Sequence, residues 1–157
     1  MPRRSERSGS PGKLRAVFDT NVLVSGLISP SGPPGLLITA WRRKEFELVV
    51  SPAILAEAAE VLRRDKIRRY YEQADREAAE KYLVGLRRFA TLVSGGLDVS
   101  GACADPEDEK FLAAALEAGA AYVVSGDEHL LELRHYRGVD IVRPAEFLSQ
   151  LRRTFPW

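Results

Sequence analysis

The feature that most constrains this chain is a pattern it uses twice: a short apolar run that stops on an aspartate. Ala16-Val17-Phe18 leads into Asp19, and Tyr122-Val123-Val124 leads into Ser125-Gly126-Asp127. An apolar run this short, with no polar alternation, reads as a strand buried on both faces, as in a parallel sheet. In open α/β sheets ligands sit beyond the carboxyl ends of the strands, and both aspartates stand there. Asp19 has a second reading on its own segment, as a helix cap or turn former, with Thr20 or Asn21 as other caps for the helix that follows.

The remaining elements fit the same architecture. Strands are predicted over 14–19, 46–50, 89–93, 122–125 and 139–142. Between them, apolar residues recur at helical spacing: Leu36, Leu37 and Trp41; Ile54, Leu55, Ala58, Val61 and Leu62; Ala79, Tyr82, Leu83 and Leu86; Phe111, Leu112, Ala115 and Leu116. Ser29-Pro30-Ser31-Gly32-Pro33-Pro34-Gly35 is a loop, and Pro144 opens a closing helix. The alternation implies an α/β, three-layer fold with a mainly parallel five-stranded sheet flanked by helices. The folded domain is predicted over 13–152. Residues 1–12, rich in Arg, Ser, Gly and Pro, read as a flexible tail, and residues 153–157 as a short C-terminal one.

Bulk properties exclude several classes. A net charge of +1 announces no global field for nucleic acid, and 45% apolar residues fit an ordinary globular chain. No apolar run approaches the ~18 residues of a membrane span. The N-terminal arginines have no apolar segment behind them, so they do not form a secretory signal. Cys103 is the only cysteine, which rules out an internal disulfide and a cysteine zinc cluster. A reducing, cytoplasmic setting fits.

Two further carboxylates point inward. Glu57 lies three residues after Ile54 and four before Val61, on the edge of an apolar stripe. As a structural residue it would pack its stem and wet its head. Asp108 precedes Phe111, Leu112 and Ala115 by three, four and seven residues, in line with the buried face, whereas Glu107 and Lys110 are predicted to point elsewhere. Asp105, followed by Pro106, reads as an N-cap. Asp19, Glu57, Asp108 and Asp127 converging on one sheet edge without cationic partners would repel one another. A divalent cation resolves this, and all-oxygen ligands favour Mg²⁺ or Mn²⁺ over zinc. Such a site serves metal-dependent phosphodiester hydrolysis. Arg42, Arg43 and Lys44, and the cluster Arg63, Arg64, Arg68 and Arg69 with Tyr70 and Tyr71, are candidates to guide an RNA strand, or are simply solvated charges.

Four segments occur in order: Phe18-Asp19-Thr20-Asn21-Val22-Leu23, Ser51-Pro52-Ala53-Ile54-Leu55-Ala56-Glu57, Asp105-Pro106-Glu107-Asp108-Glu109-Lys110-Phe111-Leu112 and Val124-Ser125-Gly126-Asp127. Together, over about residues 14–150, they resemble the PIN-domain family, in particular members described as toxins of toxin–antitoxin pairs. The resemblance implies cleavage of single-stranded RNA with Mg²⁺ or Mn²⁺. It aligns Asp19, Glu57 and Asp127 with family acids, and gives Asp108 first and Asp105 second for the third acid. It aligns Thr20, Asn21 and Ser125 with small polar positions that orient carboxylates or metal-held water. It also implies a homodimer and an antitoxin protein as partner. Two other readings compete. One is a catalytically silent PIN-like module that binds RNA or protein. The other is a haloacid-dehalogenase-type phosphatase, whose second aspartate would fall at Asn21, a residue unable to supply a proton.

Overall fold

The computed structural model describes residues 13–154. The predicted tail at 1–12 and residues 155–157 lie outside the described residues. Strand β1 (Arg15–Phe18) leads through α1 (Thr20–Ile28) and α2 (Pro33–Arg42) to β2 (Glu47–Val50). Helices α3 (Pro52–Leu62), α4 (Asp65–Arg68) and α5 (Ala78–Phe89) precede β3 (Thr91–Leu92). A 3₁₀ turn at Pro106–Asp108 runs into α6 (Glu109–Ala118), followed by β4 (Tyr122–Val124) and α7 (Glu128–Leu133). The chain closes with β5 (His135–Tyr136), β6 (Val139–Val142) and α8 (Pro144–Thr154), the last helix running two residues past the predicted end of the domain.

The sheet order is β3-β2-β1-β4-β6-β5, with every pairing parallel except β5–β6. β1 is central, and Ala16, Val17 and Phe18 are fully buried, as a strand covered on both faces requires. The chain first builds outward from β1 through β2 to β3, then returns to β1's other side with β4. The order therefore reverses between β1 and β4, and a crevice opens at their carboxyl ends. Asp19 and Asp127 follow those two strands.

The sheet has six strands, one more than the sequence indicates. The addition is a two-residue edge strand. Arg137 (φ 48°) and Gly138 (φ 87°) form the hairpin turn that folds His135–Tyr136 back on β6, and positive φ at both turn residues matches the right-handed strand twist. A two-residue strand carries no periodicity for sequence reasoning to find.

Aromatic packing fixes the sheet against α8. Phe18, Phe46 and Phe147 are all fully buried or nearly so, with ring centroids 5.2 to 6.3 Å apart. Each such ring contributes about 1.5–3 kcal/mol by burial. On the side of the crevice, α1 is held tightly. The Tyr82 hydroxyl donates to the Leu23 carbonyl at 2.6 Å. Gly26 lets α1 approach its neighbours, since a Cβ there would lie 2.5 Å from Ile38 and 3.0 Å from the Tyr82 hydroxyl. The helix that carries Asp19 at its start is thus a rigid support.

Candidate active site

Asp19 itself caps α1. Its Oδ1 accepts the Val22 N–H at 2.8 Å, so Thr20 and Asn21 occupy the first turn and are not the cap. Capping uses one oxygen and leaves the other. Oδ2 accepts from the Ser125 hydroxyl at 2.5 Å, and Ser125 is fully buried. The same Ser125 Oγ accepts the Asp127 N–H at 3.0 Å, while Asp127 caps α7 through the His129 N–H at 2.8 Å. The strand register explains the meeting: Phe18 pairs with Val124, and the Asp19 N–H donates to the Val124 carbonyl at 3.0 Å. One serine therefore ties together the two aspartates that end β1 and β4.

Glu57 reaches the same place from α3. Its Oε1 accepts from the hydroxyl of buried Thr20, and its Oε2 meets Lys110 Nζ at 3.0 Å. Lys110 is correspondingly enclosed, with 17% of its side chain exposed. Its ammonium also donates to the Glu107 carbonyl at 2.5 Å. This corrects the expectation that Lys110 points elsewhere. Lys110 sits in the first turn of α6, and its long stem carries the ammonium to where its Cα does not point. Glu57 is therefore partnered.

Asp19, Glu57, Asp108 and Asp127 line one cleft of about 400 Å³, with Thr20 and Asn21 on its wall. Asp105 is not on that wall. It is exposed and caps the 3₁₀ turn through the Glu107 N–H at 3.0 Å. Asn21 is exposed, and Thr20 and Ser125 are buried. Glu60, Arg64 and Glu107 also face the cleft. Sequence reasoning named none of these three as part of the acid site, because their spacing places them off the apolar stripes.

Burial pushes the Asp19 carboxyl above its ordinary range, and the Asp127 charge adds to this. The bonds from Ser125, Val22 and Gly126 pull the other way. The Asp108 carboxyl is also raised, first by burial, then by the charges of Asp127, Asp105 and Asp19, with Lys110 opposing. Among the described residues, no lysine, arginine or histidine lies within ion-pair distance of Asp19, Asp108 or Asp127. Nor do any three acidic, histidine or cysteine side chains among the described residues already enclose a point as ligands would. The three aspartates instead line a shared space, which suits mutually repelling carboxylates. The donor set fits a hard divalent cation, which prefers oxygen ligands and would offset this repulsion.

Most of the basic candidates lie apart from the acids. Arg63 pairs with Glu80, Arg64 with Glu60, and Arg68 with Asp65 and Glu72, all in exposed or partly exposed positions. Of these only Arg64 faces the cleft. Arg69 lies by Glu72 and Asp75 in another depression. Arg42 and Lys44 flank a separate apolar groove with Trp41, Tyr82 and Phe89, and Arg43 is exposed. Tyr71 is tied to the Leu62 carbonyl at 2.7 Å, whereas Tyr70 is exposed.

A family model described as "PIN domain" matches residues 15–129. The chain belongs to the PIN-domain family. The match spans β1 through the start of α7 and so includes Asp19, Glu57, Asp108 and Asp127. Members of this family are generally nucleases, and they typically use divalent metals. This PIN domain is 30% identical over 122 residues to the uncharacterised protein MJ1680 of Methanocaldococcus jannaschii, covering 78% of this chain and 76% of that one. Its fold is similar to a chain in the crystal structure of VapBC2 from Rickettsia felis bound to a DNA fragment from their promoter. That similarity has a TM-score of 0.52 at 12% identity, with 82% of this chain and 97% of the other covered. Membership of the PIN family removes the phosphatase reading. No single helix among the described residues is long and apolar enough to cross a membrane.

Proposed function

We propose that this PIN domain is a metal-dependent endoribonuclease that hydrolyses phosphodiester bonds in single-stranded RNA. Asp19, Asp108 and Asp127 would hold Mg²⁺ or Mn²⁺. The observation that carries the reading is the buried Asp19 sharing one cleft with Asp108 and Asp127, without a cationic partner for any of the three among the described residues. A bound divalent ion supplies charge to neutralise an attacked phosphate and lowers the pKa of water.

The chain's own residues have separate tasks. The Ser125 hydroxyl holds the Asp19 carboxylate by Oδ2 and fixes the Asp127 backbone, so the two ligands keep one spacing. The Val22 N–H holds the other Asp19 oxygen. Asp108 approaches from the 3₁₀ turn that opens α6. Thr20 orients Glu57 and keeps it beside Asp19. Arg64, on the cleft wall, is the basic residue best placed to meet an RNA phosphate, a contact that positions a strand without reading it. Asp105, exposed and engaged as a cap, is left outside the ligand set.

The test is incubation of the full chain with single-stranded RNA and Mn²⁺. The expected result is cleavage, lost with chelator and in Asp19→Asn. Cleavage that survives Asp19→Asn would overturn the site. Undiminished RNA binding without cleavage in any divalent metal would favour the silent binding module.

The likeness to a chain of a VapBC2 assembly, together with the family resemblance of the four motifs, supports a narrower version in which the enzyme is the toxin of a toxin–antitoxin pair. Growth arrest on expression, relieved by the product of a neighbouring gene, tests it. A homodimer and a cytoplasmic setting belong to the same version. Sedimentation as a monomer at micromolar concentration would remove the dimer.

A further inference from the structure

Glu57 stands between the acidic cleft and a neighbouring depression, and there it already holds a cation that belongs to the chain, the Lys110 ammonium. From this we infer that the centre takes a single divalent ion, on the Asp19–Asp108–Asp127 side, because the Lys110 ammonium already supplies the positive charge beside Glu57. Glu57 is then the residue that positions Lys110 and is not a metal ligand. The inference rests on the proposed reading of the three aspartates.

Four observations carry it. Both Glu57 oxygens are engaged, Oε1 by the Thr20 hydroxyl and Oε2 by Lys110 Nζ at 3.0 Å. The ammonium is anchored from a second direction by the Glu107 carbonyl at 2.5 Å. It is largely enclosed, with 17% of the side chain exposed, so it does not swing freely as a surface lysine does. Glu57, which holds it, lines the same cleft as Asp19, Asp108 and Asp127, so the ammonium stands at the edge of that cleft.

The two sides of the cleft therefore differ in kind. On one side three carboxylates face each other with no partner cation among the described residues. On the other a carboxylate has a full set of partners. A divalent ion approaching Glu57 must displace a held ammonium or sit against it, and like charges at contact distance in a partly buried site repel strongly. An ion approaching the aspartates meets no such opposition. Thr20, adjacent to Asp19 in the chain, links the sides without adding charge. The ammonium is also suited to a phosphate, since lysine serves as a point charge for phosphoryl oxygens.

The experiment counts Mn²⁺ bound to the full chain at neutral pH, by electron paramagnetic resonance of free Mn²⁺ and by calorimetry. The wild type should bind one ion, and Asp19→Asn should lose it. Glu57→Gln should keep one ion, bound no more than about tenfold more weakly, because it removes a supporting carboxylate and no ligand. Lys110→Met should gain a second ion, bound at least about tenfold more tightly than any second ion in the wild type. Adding Glu57→Gln to Lys110→Met should remove that second ion. Two ions in the wild type, one of them lost in Glu57→Gln, would overturn the role of Lys110 while leaving the aspartate site intact. Loss of the only ion in Glu57→Gln would do the same. An ion retained in Asp19→Asn, or no ion bound at all, would overturn the aspartate site and this inference together. If Lys110→Met does not fold, Glu57→Gln alone still decides, because an ion ligated by Glu57 is lost there and an ion held by the aspartates is not.

Discussion

Strand β1 buries a charge at each end, and the two ends are handled differently. At the amino end Arg15 is 5% exposed. It pairs with Glu47 at 2.9 Å and donates to the Ala118 carbonyl at 2.8 Å. At the carboxyl end Asp19 is 4% exposed, yet it has only hydrogen-bond donors around it and other acids nearby. A buried charge with a matched partner is a structural fixture, whose loss strands the partner. A buried charge held in place but not neutralised implies something the chain does not itself provide. The same contrast recurs inside the cleft, between Glu57 with Lys110 and the three aspartates.

The largest effect should come from the structural end. Arg15→Met leaves Glu47 and a carbonyl behind and should cost about 3–5 kcal/mol of stability in urea unfolding. A cost below about 1 kcal/mol would show that the Arg15 end is no better matched than the Asp19 end.

Asp19→Asn should do the reverse. The cap to Val22 survives in asparagine, so stability should stay within about 1 kcal/mol. RNA cleavage should fall at least about 100-fold, a size usual for loss of a residue in a metal site. Ser125→Ala removes the hydroxyl that joins Asp19 to Asp127, and Mn²⁺ affinity should weaken by roughly tenfold with the fold intact.

Acidity separates the ends further. The Asp19 carboxyl lies above its ordinary 3.8 in the folded chain, chiefly through burial. The folded state therefore holds this proton more tightly than the unfolded state. Stability from protonation is fully present below the unfolded value and is lost as pH rises through the raised one. Without divalent metal, the wild type should accordingly gain stability relative to Asp19→Asn as pH falls from 7 towards 3.8. Paired melts across that range check it, and a difference independent of pH would contradict it.

The smallest effect concerns Cys103. Its thiol is pushed up to about 11 by burial and by the charges of Asp108, Glu109 and Asp105. A cation in the cleft offsets those charges. Saturating Mg²⁺ should therefore speed alkylation of Cys103 at pH 8 by roughly twofold, and should not do so in Asp19→Asn.

Much of this was readable in the residues. The two runs ending at Asp19 and Asp127 announce strands and the edge at which they stop. Asp108 is distinguishable from Asp105 because only Asp108 is in phase with Phe111, Leu112 and Ala115, and the structure places Asp108 on the cleft wall and Asp105 outside it. Other features depend on three-dimensional reach. The Lys110 Cα is off the buried face, and only the length of its side chain brings the ammonium to Glu57. Arg15 falls inside the predicted first strand, but its burial depends on Glu47 and Ala118, 32 and 103 residues away. The edge strand at His135–Tyr136 depends on a turn and has no pattern of its own. Asp19 looks like a choice between cap and ligand, but a carboxylate has two oxygens, and capping orients the group.

The most direct measurement of the central idea is anomalous diffraction from crystals soaked in Mn²⁺. The expected map has one peak within ligand distance of Asp19, Asp108 and Asp127, with the Lys110 ammonium still against Glu57. A peak displaced from these aspartates, or none under conditions that support RNA cleavage, would contradict it.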